Sequence, residues 1–525
     1  MSVQLLSGIM LVVFFAIMIG VGIYSRRHAK DVNGFVLGNR GVGPWLTAFA
    51  FGTSYFSAVI FVGYAGQFGW LFGSAATWAG LGNAFIGSLL AWTILGRRTR
   101  VMTQHIDAKT MPDFFGKRFD SSALKIAASV IVFVFLIPYT ASLYNGLSSL
   151  FNIAFEIPYW VVILVMAVLT GIYVIYGGYM ATAINDFIQG IIMLGGIAAV
   201  IVAVVNQNGG LVEAMKGLAA VEGDAGWQGA YSSFFGPNPI FLLFVVILTS
   251  LGTWGLPQMV GKFYSIKSEK DIHKGTVIST VFAIIVAGGC YFLGGFGRLY
   301  ADKVTYQANG APLFDSIVPS MLAQLSPVII AVVIVLVLSA SMSTLSSLVL
   351  TSSSTFTLDI VKPLRKNKMT EKKQLLTLRL FIVFFIVVSA VVAILKDTFN
   401  FSFIAQMMGV SWGALAGAFL APFLYGLYWK RTTKVSVAVC FVWGVAMMVF
   451  QLLVSLKAVA LPADGLIHFV FQNSIYSGAI SMMGGLVIVP IVSLITPKMK
   501  KSSVDSVFAC YDKTVEVKTT ENLGK

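Results

Sequence analysis

Long apolar stretches separated by short polar ones recur along the whole chain. A bilayer core about 30 Å thick needs roughly 20 apolar residues per helix, and thirteen stretches are close to that length. The pattern therefore predicts an all-α integral membrane protein with about thirteen transmembrane helices. The predicted helices cover residues 4–24, 44–68, 70–96, 124–152, 158–176, 180–205, 238–261, 275–297, 327–357, 378–395, 401–428, 435–456 and 475–496.

The composition agrees with this pattern. Hydrophobic residues make up 57% of the chain and charged residues only 11%, whereas soluble proteins carry about 25% charged residues. These values exclude a soluble enzyme, a receptor with a single membrane anchor and a secreted disulfide scaffold. The three cysteines and four histidines are scattered, so their spacing fits neither a disulfide framework nor a metal site.

The distribution of lysine and arginine predicts how the chain is oriented. Cytoplasmic loops of membrane proteins are enriched in these residues. If the N-terminus lies outside, 31 of the 36 basic residues fall in predicted cytoplasmic segments. We therefore expect an external N-terminus and a cytoplasmic C-terminus. The net charge of +15 then reflects topology, and we expect no nucleic-acid partner.

Two of the predicted helices contain clusters of small, hydroxyl-bearing and helix-breaking residues. The second carries 52–57 (Gly-Thr-Ser-Tyr-Phe-Ser), and the seventh carries 249–258, which includes Pro257. Breaks at corresponding places in two halves of a membrane protein are typical of transporter binding sites. Helices two to six and seven to eleven could thus form two inverted repeats. The alternative is that these small residues only allow close helix packing.

The ninth predicted helix carries a polar face. Ala340, Ser343, Thr344 and Ser347 are spaced i, i+3, i+4 and i+7, which places them on one side of a helix. Two adjacent hydroxyls beside an opened helix with free carbonyls offer neutral oxygen ligands for a small cation such as sodium. The alternative is a seam of small residues that forms hydrogen bonds between helices.

Asp186 is the one acidic residue that falls inside a predicted span. Ionisable side chains within a membrane are costly and usually belong to a pathway or site, although an Asp at the water interface could also cap a helix. No lysine or arginine is expected in the interior of a span. Lys262 falls in the predicted cytoplasmic segment 262–274.

Several short motifs resemble those of one family. In this order and spacing the chain is similar to the sodium:solute symporter family, which contains sodium-coupled sugar, proline and pantothenate transporters. The resemblance covers about residues 20–455. Its motifs are Gly43-Pro44-Trp45, Asn185-Asp186-Phe187-Ile188-Gln189-Gly190, Gly255-Leu256-Pro257, Ala340-Ser341-Met342-Ser343-Thr344-Leu345, Ala421-Pro422 and Tyr428-Trp429-Lys430-Arg431.

The resemblance implies a core of two inverted five-helix repeats, the leucine-transporter-like fold. It also implies a sodium site that joins the break in the second helix to the ninth helix, and it places Asp186 near the cytoplasmic exit of the ion. The implied sodium ligands are the carbonyls of Thr53, Phe56 and Ala340 and the hydroxyls of Ser343 and Thr344.

Departures from the family pattern bear on the solute. Sugar carriers have Gln where this chain has Ile60, and their third-helix Glu is replaced here by Thr77; proline carriers have Asp at the position of Tyr55. The 185–186 and 255–257 motifs are nearer to pantothenate carriers. An amino acid or carboxylate, such as proline or pantothenate, is therefore favoured over a sugar. The residues proposed to line its pocket, each of which could equally serve helix packing, are Tyr55, Ser57, Val59, Tyr139, Trp254 and Gln406.

These observations predict sodium-coupled symport of a small organic solute into the cell, with sodium as the coupling ion. Proton coupling through Asp186 is the first alternative and a passive channel the second. Motifs for an intramembrane enzyme or an ATP-driven pump are missing from the sequence, so we expect a non-enzyme. Its expected partners are the solute and membrane lipids, with no obligate protein partner, and its expected location is a bacterial-type plasma membrane that it crosses many times.

The same reasoning divides the chain into six segments. The two five-helix repeats occupy most of its length, and the last segment is expected to lie near anionic lipid headgroups. The segments are the first helix and its loop (1–43), the first repeat (44–205), an external loop (206–237), the second repeat (238–428), two peripheral helices (429–497) and a basic cytoplasmic tail (498–525).

Overall fold

The computed structural model describes residues 3–155, 158–223, 226–308, 310–366, 368–395 and 404–512. Within these residues the protein contains twenty-three α-helices and no β-sheet. The helices of the first half are α1 (Val3–Ser25), α2 (Val32–Leu37), α3 (Pro44–Tyr55), α4 (Ala65–Phe72), α5 (Thr77–Gly82), α6 (Arg97–His105), α7 (Met111–Arg118), α8 (Ser122–Phe155), α9 (Tyr159–Gln207) and α10 (Leu211–Ala219).

The second half follows the same all-helical plan, and several π-helical turns join consecutive helices in both halves. Its helices are α11 (Pro239–Leu251), α12 (Pro257–Ser265), α13 (Glu269–Ala283), α14 (Gly289–Gly294), α15 (Phe314–Leu322), α16 (Pro327–Thr355), α17 (Lys362–Leu364), α18 (Glu371–Ile394), α19 (Ile404–Tyr428), α20 (Lys434–Ser455), α21 (Gly465–Phe471), α22 (Ser474–Ile495) and α23 (Lys501–Phe508).

Ten helical stretches of the described chain are long and apolar enough to cross a membrane, or eleven if the bent pair α11–α12 is counted as one span. Two of them, Val59–His105 and Trp160–Gln207, contain 47 and 48 residues. At 1.5 Å per residue each is about 70 Å long, which is about twice the thickness of a bilayer core. Each of these two stretches includes more than one of the predicted apolar segments.

Glycines mark the bends in these two long stretches. Gly178 in α9 has φ 53° and ψ −144°, and Gly73 has φ 61°, a backbone conformation that side chains with a Cβ rarely adopt. Close contacts also require glycine here, because a Cβ on Gly178 would lie 2.8 Å from the Phe35 carbonyl oxygen. The bend at Gly178 therefore separates the fifth and sixth predicted helices.

Replacing Gly178 with alanine should destabilise the protein by about 1–3 kcal/mol, because the side chain would be forced into a sparsely populated backbone conformation. Gly195 in the same helix is the matched control, since a Cβ there would meet nothing within 4 Å. Thermal unfolding of both variants in detergent checks the prediction. An equal effect of the two substitutions would contradict it.

The two interrupted helices lie side by side. The first consists of α3 and α4 with a break after Tyr55, and the second of α11 and α12, which are bent by 42°. Val42, just before α3, forms a parallel bridge with Ile266, just after α12. The beginning of the first interrupted helix thus meets the end of the second, so the two run in opposite directions.

Helix α16 forms the centre of the bundle. Nearly all its residues from 331 to 355 are buried, and it packs against α1, α3, α8, α9 and α18. Helix α1 is peripheral, and its Leu5, Val12 and Ile23 are exposed, as expected for a lipid-facing helix. The polar residues of α16 are therefore enclosed by protein rather than directed to lipid.

Charged side chains from two segments that were predicted to be cytoplasmic, 97–125 and 358–379, form one cluster. The Lys125 ammonium lies 2.7 Å from Asp113 and 3.1 Å from Asp359, and Thr110 donates a 2.5 Å hydrogen bond to Asp359. Burial raises the pKa of the Asp113 carboxyl, but the ammonium groups of Lys125 and Lys117 outweigh it and hold that pKa below its usual value. This cluster joins α7, α8 and the π-helical turn 356–361 that follows α16.

The first part of the predicted basic tail packs on the protein. Val504 and Phe508 of α23 are buried, and Asp505 lies 3.1 Å from the Lys430 ammonium. The basic composition of the tail hid the amphipathic spacing of these apolar residues. The part of the tail after residue 512 lies outside the described residues.

Candidate ion and solute site

The C-terminal end of α3 presents backbone oxygens near the middle of the bundle. The helix ends at Tyr55, and Phe56 has φ −102° and ψ 93°. The last carbonyls of a helix lack partners within the helix, and that end carries partial negative charge. A helix that ends inside the bundle is therefore suited to attract a cation.

The polar face of α16 meets this helix end. The hydroxyls of Ser343 and Thr344 donate to the Thr53 carbonyl over 3.1 and 3.0 Å. The same hydroxyls lie 3.1 and 3.2 Å from the Ala340 carbonyl. All four residues are fully buried. The structure thus brings four of the five predicted sodium-ligand residues together as two carbonyl and two hydroxyl oxygens.

Phe56, the fifth of these residues, follows α3 directly, and its N–H donates to the Gly52 carbonyl over 3.0 Å. The group of oxygens is uncharged, and each oxygen has lone pairs that a cation can share. Such oxygens suit a cation that gives up its water at moderate cost. This chemistry fits sodium better than a divalent ion, which favours carboxylate ligands.

Asp186 is fully buried in α9, and its carboxylate lies 3.5 Å from the ammonium of Lys262. Lys262 is itself buried in α12, and sequence reasoning missed this because it placed the residue in a cytoplasmic loop. Pro257 restarts the helix in its first turn, which carries α12 on to Ser265. Pro257 was therefore the available signal that Lys262 belongs to a helix and not to a loop.

A chain of polar contacts connects this ion pair to the oxygen cluster. Lys262 donates to the Ser347 hydroxyl over 2.9 Å, and this hydroxyl lies 2.7 Å from that of Ser54. Ser54 follows Thr53, and Ser347 comes three residues after Thr344. The ion pair is therefore about one helical turn from the oxygen cluster.

Aromatic side chains cluster beside the break in the first interrupted helix. The Tyr55 hydroxyl donates to the Thr249 carbonyl over 2.6 Å, and its ring stacks on Phe56 with centroids 4.3 Å apart. The Trp412 ring lies 6.0 Å from both Tyr55 and Tyr139. Trp412 was not singled out from the sequence, because a lone tryptophan in an apolar helix has no distinctive pattern.

The other predicted pocket residues are less closely connected. Ser57 and Val59 are buried in the same break. The Trp254 indole donates to the Ile86 carbonyl over 3.0 Å. Gln406 is half-buried and donates to Ser455 on α20 over 2.7 Å, so its contact is with a peripheral helix and not with the aromatic cluster.

Replacing Tyr55 with phenylalanine should lower stability by about 1–2 kcal/mol, because the Thr249 carbonyl would lose its buried donor. Tyr144 is a suitable control, since its hydroxyl is buried and has no hydrogen-bond partner among the described residues. We expect Tyr144→Phe to change thermal unfolding much less. A larger loss of stability for Tyr144→Phe than for Tyr55→Phe would contradict a stabilising role of the hydrogen bond between Tyr55 and Thr249.

The fold and the site together define a class: a multi-pass membrane transporter with two interrupted helices, one of which forms an uncharged oxygen cluster with the continuous helix α16. The sequence profile of the sodium:solute symporter family matches residues 35–444. The chain belongs to this family, as its motifs predicted.

Curated relatives and a solved structure agree with this assignment. The osmoregulated proline transporter OpuE of Bacillus subtilis is 29% identical over 96% of this chain and 97% of its own. Sodium/proline symporter 2 of Staphylococcus saprophyticus is 28% identical over 86% and 87%. A Na⁺-coupled sialic acid symporter in its substrate-bound outward-open state shares the fold with a TM-score of 0.73, at 18% identity over 94% of this chain and 98% of its own.

The predicted activity is thereby confirmed: the protein is a sodium-coupled symporter of a solute, and it resides in a membrane as a multi-pass helical protein. Its family is one of transporters. Sodium is the coupling ion that this membership implies, and small solutes are the cargo.

Proposed function

We propose that the protein imports a small solute with a carboxylate group, such as proline or pantothenate, together with sodium across a bacterial plasma membrane. The observation that supports sodium as the transported ion is the pair of hydrogen bonds from the Ser343 and Thr344 hydroxyls to the Thr53 carbonyl. The curated relatives that transport proline support an amino acid as cargo.

In this proposal the chain crosses the membrane thirteen times, with an external N-terminus and a cytoplasmic C-terminus. Helices two to six (44–205) and seven to eleven (238–428) form inverted repeats of the leucine-transporter-like type. The opposite directions of the two interrupted helices support this arrangement. The remaining segments, including the external loop 206–237 and the helices of 429–497, flank the core.

The proposed sodium ligands are the carbonyls of Thr53, Phe56 and Ala340 and the hydroxyls of Ser343 and Thr344. Because these residues lie on α3, the break after it and α16, a bound sodium ion would hold the two helices together. We propose that this favours the outward-open form, in which the solute binds. The core then rocks, and both cargoes leave to the cytoplasm, the sodium ion past Asp186.

The proposed solute pocket lies next to the sodium ligands. Its walls include those predicted residues that border the break and, in addition, Trp412, whose ring lies 6.0 Å from each of the Tyr55 and Tyr139 rings. A carboxylate could be held at the end of an interrupted helix. The predicted wall residues are Tyr55, Ser57, Val59, Tyr139, Trp254 and Gln406.

Membrane potential would add to the driving force. Moving one charge inward through 100 mV releases about 2.3 kcal/mol, which corresponds to roughly forty-fold accumulation of solute. This accumulation comes from the membrane potential alone, and a sodium gradient adds to it.

Uptake into proteoliposomes tests this proposal. Labelled L-proline, pantothenate and glucose are offered with an inward sodium gradient, or with choline in place of sodium at the same pH. We expect sodium-dependent accumulation of one of the two carboxylates and none of glucose. Accumulation of glucose alone, or of no solute, would overturn the choice of substrate class.

The same assay separates the coupling ions. The choline arm checks directly the sodium coupling that membership of the family implies. Uptake that persists in choline and responds to an inward pH gradient would favour protons. A passive channel would give ion flux that the solute does not stimulate.

A further inference from the structure

A cavity of about 50 Å³ lies beside the charged cluster, where Thr110 lines it and donates a hydrogen bond to Asp359. It lies between α2, α12, α16 and the residues that lead into α7. Ser347 lines it, so the cavity reaches to about one helical turn from the proposed sodium ligands. Its polar lining consists of Lys109, Thr110, Tyr179, Gln258, Lys262, Ser347, Thr351, Ser354 and Thr355.

The charge of the cavity wall is the first feature. Two lysines, Lys109 and Lys262, line it, and none of the described residues in its wall is an aspartate or glutamate. Asp186 contacts Lys262 but does not belong to the wall. The charged side chains in the wall are therefore cationic, although Asp186 offsets the charge of Lys262 and Asp359 accepts a hydrogen bond from Thr110.

Gln258 contributes the second feature. Only 2% of this residue is exposed, and neither atom of its side-chain amide has a hydrogen-bond partner among the described residues. A buried amide without partners is costly, so the position favours a ligand that can accept its hydrogen bonds. Gln258 is the second residue of α12, whose N-terminal end lies at the interruption after Leu256.

The cavity thus combines three groups that bind carboxylates. The N-terminus of α12 carries partial positive charge, Gln258 supplies an amide donor, and the Lys262 ammonium lies one turn further along the same helix. Ser347 places a hydroxyl 2.9 Å from that ammonium. Hydrogen bonds between an ammonium and a carboxylate are among the stronger ones in proteins.

We propose that this cavity is the cytoplasmic release site of the solute, and that Gln258 and Lys262 hold the solute's carboxylate there before it leaves. The inference rests on the proposed function, in which the solute carries a carboxylate and this end of the protein faces the cytoplasm. Lys262 then has two alternative partners, Asp186 and the departing solute.

In this arrangement the anionic carboxylate of the solute and the sodium ion leave past different residues. The solute leaves through the lysine-lined cavity. The Asp186 carboxylate lies 3.5 Å from the Lys262 ammonium and is not part of the cavity wall, and it attracts the cation. A residue at the release site affects solute affinity on the cytoplasmic face and leaves affinity on the external face nearly unchanged.

The test compares the two faces. Half-saturating concentrations of L-proline are measured for sodium-driven transport in right-side-out and in inside-out membrane vesicles. Gln258→Leu, which keeps every charge, and Lys262→Met should each raise the value in inside-out vesicles by about ten-fold. In right-side-out vesicles the change should stay below about two-fold. Ser353→Ala, on the same helix but outside the cavity wall and bonded to the Leu350 carbonyl, should change neither value.

Lys262→Met leaves Asp186 without its partner, so folding must be controlled. The double variant Lys262→Met/Asp186→Asn removes both charges and should show the same change in inside-out vesicles. Equal shifts on both faces, or no shift in inside-out vesicles, would overturn the release site. The proposed function would still stand if the unaltered protein shows sodium-driven uptake. If only pantothenate is transported, it replaces L-proline in both kinds of vesicle. Absence of sodium-driven transport of either carboxylate by the unaltered protein would overturn the proposed substrate class as well.

Discussion

Removing the hydroxyl of Ser343 or Thr344 should raise the sodium concentration needed for half-maximal uptake by about ten-fold or more, because each substitution deletes one of the proposed ligands. The concentration of solute needed should change far less when sodium is saturating. The measurement is uptake into proteoliposomes with Ser343→Ala and Thr344→Ala, as sodium and solute are varied in turn.

Ser341 provides the matched control for this experiment. It lies on the same helix and is buried, but its hydroxyl donates to the Val337 carbonyl of the preceding turn over 2.9 Å. Ser341→Ala should leave the sodium requirement near that of the unaltered protein. Equal loss of sodium and solute affinity in the Ser343 and Thr344 variants, or no change in either, would count against the site.

Breaking the ion pair between Asp186 and Lys262 should destabilise the protein by about 3–5 kcal/mol, because the remaining partner would be a buried charge without compensation. Thermal unfolding of Lys262→Met and Asp186→Asn in detergent tests this. The double variant Lys262→Met/Asp186→Asn should recover most of the loss, since neither charge is left behind.

A surface pair serves as the control for the buried one. Lys430 and Asp505 lie 3.1 Å apart, with 55% and 46% of their side chains exposed. Exposed pairs contribute at most about 1 kcal/mol, so Asp505→Asn should have a small effect. If the double variant were as unstable as the single ones, the contact between Asp186 and Lys262 would not be the cause of the loss.

The helices were largely predictable because membrane burial leaves a strong mark on composition. Each of the thirteen apolar stretches coincides at least in part with helix in the described residues. Proline and glycine also indicated where helices begin or break, as at Pro44, Pro257 and Pro327. Residues 396–403, where one predicted helix begins, lie outside the described residues.

The candidate site was predictable where chemistry follows helical spacing. The i, i+3, i+4 pattern selected Ala340, Ser343 and Thr344 on one face, and the structure places that face against Thr53. Gln406 is the opposite case, because its position in the sequence suggested the pocket but its amide bonds to Ser455. A side chain at the start of a helix can point to several neighbours, and spacing does not choose among them.

The contacts of Lys262 and Trp412 could not be predicted from the spacing of residues along the chain. Both gain their significance from residues far away in the chain, Asp186 for the lysine and Tyr55 for the tryptophan. The docking of Phe508 on the basic end of the protein is a third example, since its neighbour Arg118 lies 4.8 Å from its ring. Local patterns carry no information about such pairs.

Taken by itself, the sequence determined that this is a helical membrane protein of the sodium:solute symporter family, where its helices are interrupted, and which face of the ninth helix is polar. These properties depend on apolar length, on backbone-breaking residues and on periodicity, all of which are local. Only the tertiary structure decided which oxygens meet, that Lys262 neutralises Asp186, and that a lysine-lined cavity reaches toward the oxygen cluster. Those properties depend on contacts between helices that are remote in the chain, and packing of the whole bundle sets them.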